Sequence, residues 1–414
     1  MGAIATEATG ALRLSGERAS ASGDSTLGGR TGSGLLVQMM APDDPGLLPH
    51  WEALVHRGAE PNAFNAPWFL PTALHHYDPN GDTRLFTLWV DAEEGRRRMV
   101  ALMPLSHESL YGAHPIPHLS NWMHYNAFLG TPMVARGYEQ SFWRALLDYA
   151  DTHAGRALFL HINKMTYGGP LHSALRAVAA AQKRQHACVS MEERAFLQSE
   201  LGPHAYYEAT VRGKKRKELR RQSNRLSELG KIGFTRDNGG EGLEDWISQF
   251  LRLEAAGWKG QNRSAIGSHQ QSREFFTHLL LAAAAAGALE RLTIRFDDRP
   301  IAMLVNFLCP PGSFSFKTAF DEAFARFSPG VLLQIENLGI LDRADIDWMD
   351  SCAAEDHPMI DSLWSGRRCV GRYSIAIGGT ARRTAFRAYR FAEDWRARRR
   401  SDAAPLGVQE ENAE

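Results

Sequence analysis

The 414 residues carry 47 lysines and arginines against 47 aspartates and glutamates, so the formal charge is zero and the chain as a whole is no polyanion binder. With 44% hydrophobic and 23% charged residues, wholesale disorder, collagen and coiled coil are excluded, and two domains of ordinary size are expected. The four cysteines, Cys188, Cys309, Cys352 and Cys369, form no CxxC pair, which suits a reducing compartment and argues against a structural metal.

Residues 1–34 are rich in Gly, Ala, Ser and Thr and read as a flexible tail. The glycines at 28–34 lack the Gly-Lys-Ser/Thr ending of a phosphate loop, so that stretch is a linker. No basic-then-apolar order marks a signal peptide, and no apolar run approaches the roughly 20 residues of a membrane span. The longest, 279–289, is Ala-rich and reads as a buried helix. A cytoplasmic protein is expected.

From residue 35 the pattern alternates. Strand 36–39 precedes a helix at 47–56, and Ala66-Pro67-Trp68-Phe69 opens another, with proline tolerated in the first turn. Strands 85–90 and 99–105 follow, then helix 141–152, strand 157–162, helix 171–182 and strand 187–196. After Gly202, residues 206–211 lead into a long basic helix, and a similar order recurs. It runs strand 232–236, helices 243–254 and 271–286, strands 289–296, 300–308 and 313–319, helix 328–341, strand 346–352, helix 357–364 and strand 369–377. Interleaved helices and strands imply α/β or α+β architecture, and the recurrence suggests a duplicated module. The expected division is a tail at 1–34, modules at 35–200 and 201–379, and a basic helix with an acidic end at 380–414. The aromatics Phe386, Tyr389, Phe391 and Trp395 of that last helix suit docking on the chain's own domain better than a membrane surface or a partner.

Several segments have the residue types that chemistry needs. Ser328-Pro329-Gly330-Val331-Leu332-Leu333 opens a helix after a strand, where free N–H groups and the positive dipole end suit a phosphate. Plain helix capping explains the same residues. Asp321, at the strand's exit, suits a general base or a turn carboxylate. Asp350 leaves a second strand, followed by Cys352 and His357, a pair with no orienting third group for nucleophilic catalysis. The run 212–225 carries eight cations and one glutamate, a solvated face, a seat for a phosphorylated cofactor or anionic glycan, or a non-specific contact with RNA, with Arg216, Arg220 and Arg221 near one another. Trp258 and Lys259 follow a helix ending at Gly257, packing there or lining a cleft. No pattern for sequence-specific nucleic-acid recognition is present, and the irregularly spaced His107, His114, His118 and His124 suggest no metal site.

In order and spacing, the stretches 216–229, Leu253-Glu254 with Trp258-Lys259, Arg273-Glu274-Phe275-Phe276, Pro300-Ile301-Ala302, Phe316-Lys317-Thr318-Ala319-Phe320-Asp321-Glu322 and Ser328-Pro329-Gly330-Val331-Leu332-Leu333 form a pattern over about 205–365. That pattern resembles the CelD/BcsL-type acetyltransferases of the GNAT superfamily, a family named for its association with bacterial cellulose biosynthesis. The first half matches more loosely, through Trp68-Phe69 and 121–132. The resemblance implies two tandem GNAT-like modules, mixed sheets flanked by helices, as in the Fem peptidyltransferases. It implies direct acyl transfer from acetyl-CoA or a longer acyl-CoA to an amine or hydroxyl of a small-molecule, glycan or peptide acceptor, in polysaccharide or cell-envelope metabolism. The donor pyrophosphate falls on Ser328, Pro329, Gly330, Val331, Leu332 and Leu333, where this chain has one glycine in place of the family's two. Asp321 or Asp350 is then the base, and Lys317, Trp258, Lys259 and Arg216 the substrate contacts. A Fem-like ligase taking its amino acid from aminoacyl-tRNA, and a binding module without turnover, are the rival readings.

Overall fold

The computed structural model describes residues 28–30, 34–92, 95–257 and 266–403. Among them the strands join one mixed sheet. They are β1 Gly28–Arg30, β2 Leu36–Met40, β3 Arg84–Asp91, β4 Arg97–Glu108, β5 His118–Asn121, β6 Met133–Val134, β7 Phe159–Thr166, β8 His186–Leu197, β9 Ile232–Asp237, β10 Leu289–Phe296, β11 Arg299–Cys309, β12 Gly312–Phe320, β13 Trp348–Asp350 and β14 Gly366–Ala376. Their order is β1-β2-β3-β4-β5-β7-β14-β8-β13-β12-β11-β10-β9, with β6 beside β4. The helices are α1 Leu48–Val55, α2 Leu70–Tyr77, α3 Glu139–His153, α4 Pro170–Ala181, α5 Pro203–Thr210, α6 Gly213–Leu229, α7 Leu243–Ala256, α8 Gln270–Ala285, α9 Pro329–Asn337 and α10 Thr380–Ala403.

The mixed α/β architecture is the one expected, and so is the recurrence. Strand, two helices, three antiparallel strands, helix and a parallel strand occur as β2-α1-α2-β3-β4-β5-α3-β7 and again as β9-α7-α8-β10-β11-β12-α9-β13. In both runs the last strand pairs parallel with the one before the helix, β7 with β5 and β13 with β12. Apolar periodicity explains the local choices. Helix α3 buries Phe142, Trp143, Leu146, Leu147 and Ala150 along one stripe, whereas α6 buries only Leu219 and Leu226 and leaves its cations outside.

The expected boundary near residue 200 divides the sequence but not the sheet. β14 lies within the second expected module, 201–379, yet it pairs with β7 and β8 of the first. Helix α10 follows it there, burying Phe386 against Phe159. The modules also share a core, in which Phe64 of the first lies 5.3 Å from Phe314 of the second. The helix expected at 357–364 is a series of turns. Asp361 N bonds His357 O and Trp364 N bonds Ile360 O, but Ile360, Leu363 and Trp364 bury against Tyr206 and Val211, and this packing overrides a continuous helix. The tail at 1–27 lies outside the described residues, and Gly28–Arg30 pairs with β2.

Candidate active site

The second parallel pair is short. Among the described residues β12 and β13 meet only through Gly312–Phe314 and Trp348–Asp350, and β12 then runs on to Phe320 with no strand paired on that side. A Cβ on Gly312 would sit 2.2 Å from the Trp348 ring, so glycine is what allows the indole to lie across the start of the pair. Past Asp350 the chain turns away, Ser351 N donating to Ala195 O of β8 at 3.2 Å. The sheet opens at the carboxyl end of β12, where α/β folds place their ligands.

Lys317, on the length of β12 beyond the pair, and Lys164 both approach the Phe128 ring. Lys317 Nζ lies 5.3 Å from the Phe128 ring, and Lys164 Nζ, from the first module, 5.6 Å from the same ring. Burial, with Arg194 and Arg372 nearby, lowers the Lys164 ammonium from its ordinary value despite Glu192 at 3.8 Å. His124 is stacked on Tyr77 and held neutral, burial and then Lys317 lowering it to about 3. Below the opening Asp350 is fully buried, its two oxygens 2.7 Å from Arg194 Nε and 3.0 Å from Arg368 Nη1, with Cys352 N donating to Oδ1 at 2.9 Å. Burial alone would raise that carboxyl, but Arg194 and Arg368 outweigh it and hold it below the usual carboxylate range. A carboxylate so engaged would have to give up part of the triad to collect a proton from an acceptor. The Cys352 thiol is buried, and burial and then Asp350 push it up well above its ordinary value, which disfavours the thiolate that nucleophilic attack needs.

Asp321 caps the turn Glu322–Phe327, accepting from Ala323 N at 3.0 Å and pairing with Arg299. Beyond that turn lies a cavity of about 810 Å³. Ser328 and Val331 at the start of α9 face Arg212, Lys214 and Lys215 at the start of α6, and residues 361–365 with Arg367 close the remaining side. Two helix N-termini and four cations thus surround one space, with Glu218 and Asp361 as the acidic members of the lining. Trp364 is fully buried in its wall, and its indole N–H finds no acceptor among the described residues.

The local geometry of α9 departs from the expected amide cradle. Ser328 adopts a left-handed conformation (φ 53°), its hydroxyl caps nothing, and the Val331 and Leu332 amides both bond Ser328 O. Gly330 is packed over by Met359, whose Sδ stands 2.8 Å from where a Cβ would be. Attraction for an anion here comes from the dipole and the side-chain cations. Leu333 belongs to the core, and Leu332 lines a smaller neighbouring cavity of about 230 Å³ together with Arg216. Arg216 donates to Glu208 O and to Val211 O at 2.7 Å, closing the end of α5, so it is structural in large part. Trp258 and Lys259 lie outside the described residues.

Residues 213–357 match the family model described as an acetyltransferase (GNAT) domain. No curated protein matches the chain. Among solved structures, FemX superposes with a TM-score of 0.52 at 11% identity, over 79% of this chain and 95% of that one. A conserved protein of unknown function from Bacteroides thetaiotaomicron gives 0.52 at 12% identity, over 80% and 97%. At such identities the likeness is one of fold. Residues 213–357 are thus similar to an acetyltransferase (GNAT) domain, and the two-module fold around them is like that of FemX.

Proposed function

We propose that the protein is an acyltransferase that takes its acyl group from acetyl-CoA or a longer acyl-CoA and transfers it directly to an amine or hydroxyl. The observation that carries the reading is the cationic cavity at the start of α9, a helix of the matched stretch, with Arg212 and Arg367 of its lining just outside that stretch. Arg212, Lys214, Lys215 and Arg367 surround the donor phosphates at the α9 dipole, with Ser328 and Val331 on the wall. The acyl end then reaches the opening between β12 and β13, where backbone N–H groups past the pair polarise the thioester carbonyl. Lys317 and Lys164 draw an anionic acceptor toward the Phe128 ring. Asp321 is the carboxylate at the exit of β12 that orients or deprotonates the acceptor, while Asp350 is a positioning residue that fixes Arg194 and Arg368 beneath the opening. The pattern shared with CelD/BcsL-type proteins supports an acceptor from bacterial polysaccharide or cell-envelope metabolism.

A second donor is favoured by one observation. The cations of α6 continue past the cavity as Lys217, Arg220, Arg221 and Arg225, a length of positive charge suited to aminoacyl-tRNA, and the fold is like that of FemX. Calorimetry with acetyl-CoA and a ladder of longer acyl-CoAs separates the two. Saturable binding is expected, weakened about 100-fold in Arg212→Glu/Lys214→Glu as two charge-assisted contacts are lost. Absence of binding at millimolar acyl-CoA, together with turnover from charged tRNA, would transfer the assignment to the ligase reading.

A further inference from the structure

The last helix has two unlike faces. On the inner one Phe386 is buried, Arg383 pairs with Asp151 at 3.1 Å, and Arg382 Nη2 donates to Gly155 O at 2.9 Å. Arg390, also buried, is neutralised by Glu393 and Asp394 at 2.5 and 2.8 Å. Phe391 and Trp395 on the outer face are exposed, and no described residue outside the helix is recorded against them. Arg387, Phe391, Trp395 and Arg399 follow one another at four-residue steps and so form a single stripe. Phe391 is 73% and Trp395 47% exposed, among the largest such values for aromatic residues in the described chain. Arg387, Arg396 and Arg399 are exposed beside them, and the Arg399 guanidinium lies 3.8 Å over the Trp395 ring. Helix α10 holds eight arginines against three acidic residues, in a chain whose formal charge is zero.

We propose that this stripe is a docking face for an anionic membrane surface, with α10 lying in the headgroup plane and Phe391 and Trp395 entering the acyl boundary. Its composition is that of an interfacial helix, aromatic and cationic on the outer side and packed onto its own domain on the inner. Among the described residues no helix is long and apolar enough to cross a membrane, so α10 lies on the surface. Charge decides against a second copy, since a two-fold contact would bring the arginine stripe against itself. Arg399 already covers one face of the Trp395 ring, which leaves it poorly placed to stack a nucleobase. The inference is independent of the donor, and it would bring the enzyme to acceptors held at a bilayer.

Sedimentation with vesicles tests it, using phosphatidylcholine alone and phosphatidylcholine mixed equally with phosphatidylglycerol. The intact chain is expected to pellet with the mixed vesicles only, less so as salt is raised. Phe391→Ser/Trp395→Ser abolishes pelleting while the melting temperature is unchanged, because both side chains point away from the core. Arg387→Gln/Arg396→Gln lowers the partition coefficient about 25-fold, roughly fivefold for each arginine near an anionic bilayer. Failure to pellet with the mixed vesicles overturns the proposal, as does pelleting that survives Phe391→Ser/Trp395→Ser. So does self-association in the absence of vesicles that this variant abolishes, which would make a second copy the occupant.

Discussion

The two modules share an order of elements and differ in what fills the gap between their parallel strands. In the second, β12 and β13 part after three residue pairs, leaving an opening, and Lys317 and Lys164 both approach the Phe128 ring. In the first, β5 and β7 part as early, but the gap is stoppered. Asn121 Nδ2 donates to Gly130 O at 2.9 Å and to Asn163 O at 3.1 Å, and its Oδ1 accepts from Asn163 N at 2.7 Å. Gly130 lies so close that a Cβ would meet Asn163 O at 2.2 Å. The helix starts differ in the same sense. Glu139 opens α3 and accepts from Gly137 N at 3.1 Å, and Glu60 accepts from Leu171 N at the start of α4 at 2.9 Å, so carboxylates of the chain itself stand at both positive ends. Helix α9 has no acid in its first turn and faces cations. One module is sealed by its own polar groups, and the other lacks those groups, which is where the proposed function puts its anionic donor.

The largest effect is expected where the modules are tied together. Asp350 on β13 joins Arg194 on β8 and Arg368 on β14, strands on either side of the division. Asp350→Asn leaves two guanidiniums buried without their counter-ion, and the loss of stability by chemical denaturation should be about 3–5 kcal/mol. A loss below about 1 kcal/mol would mean that the triad relaxes into solvent and that the modules hold by apolar packing alone. The pH dependence has a definite sign. Since the folded Asp350 carboxyl lies below its ordinary value of about 3.9, its contribution is complete above that pH and declines as the pH falls through the folded value.

Next in size is the stopper. Asn121→Ala removes the donor to two backbone carbonyls and the acceptor for Asn163 N, and should cost about 2 kcal/mol. It should confer no affinity for acyl-CoA on the first module, because Glu139 remains at the start of α3. A second calorimetric binding site in this variant would break the comparison, by showing that the stopper alone silences the first module.

Much of this was legible in the sequence, for reasons that particular residues make plain. The regular elements follow from apolar periodicity, as in α3 and β4, and the basic start of α6 and the Ser328-Pro329 helix start are both local patterns. What was not legible depends on distance along the chain. Nothing around Gly366–Ala376 says that it pairs with Phe159–Thr166, some 200 residues earlier, since any alternating strand would read alike. The exposure of a carboxylate is equally hidden. Asp321 and Asp350 both follow apolar strands, and only the arrival of Arg194 and Arg368 separates a buried ion triad from a turn cap. Lys164 and Phe128 carry no local pattern at all, since they matter through their position against Lys317 of the other module.

The smallest effect bears on whether the carboxylates of the first module stabilise it. Burial raises the Glu60 carboxyl above its ordinary value, although Leu171 N–H, Thr166 and Arg368 all favour its charged form, and Oε2 is buried without a hydrogen bond. A raised folded value means that the group's contribution is present below the unfolded value of about 4.3 and is lost as the pH rises through the folded one. Glu60→Gln keeps an acceptor for Leu171 N and cannot ionise, so its difference from the parent should stay under about 1 kcal/mol and move in the variant's favour between pH 4 and pH 8. Melting temperatures across that range read the sign directly. If the variant instead loses ground as the pH rises, the charged carboxylate is a favourable anion at the α4 start, and the first module is sealed by attraction. If it gains, the seat is occupied at a cost in stability, and the sealing there is steric.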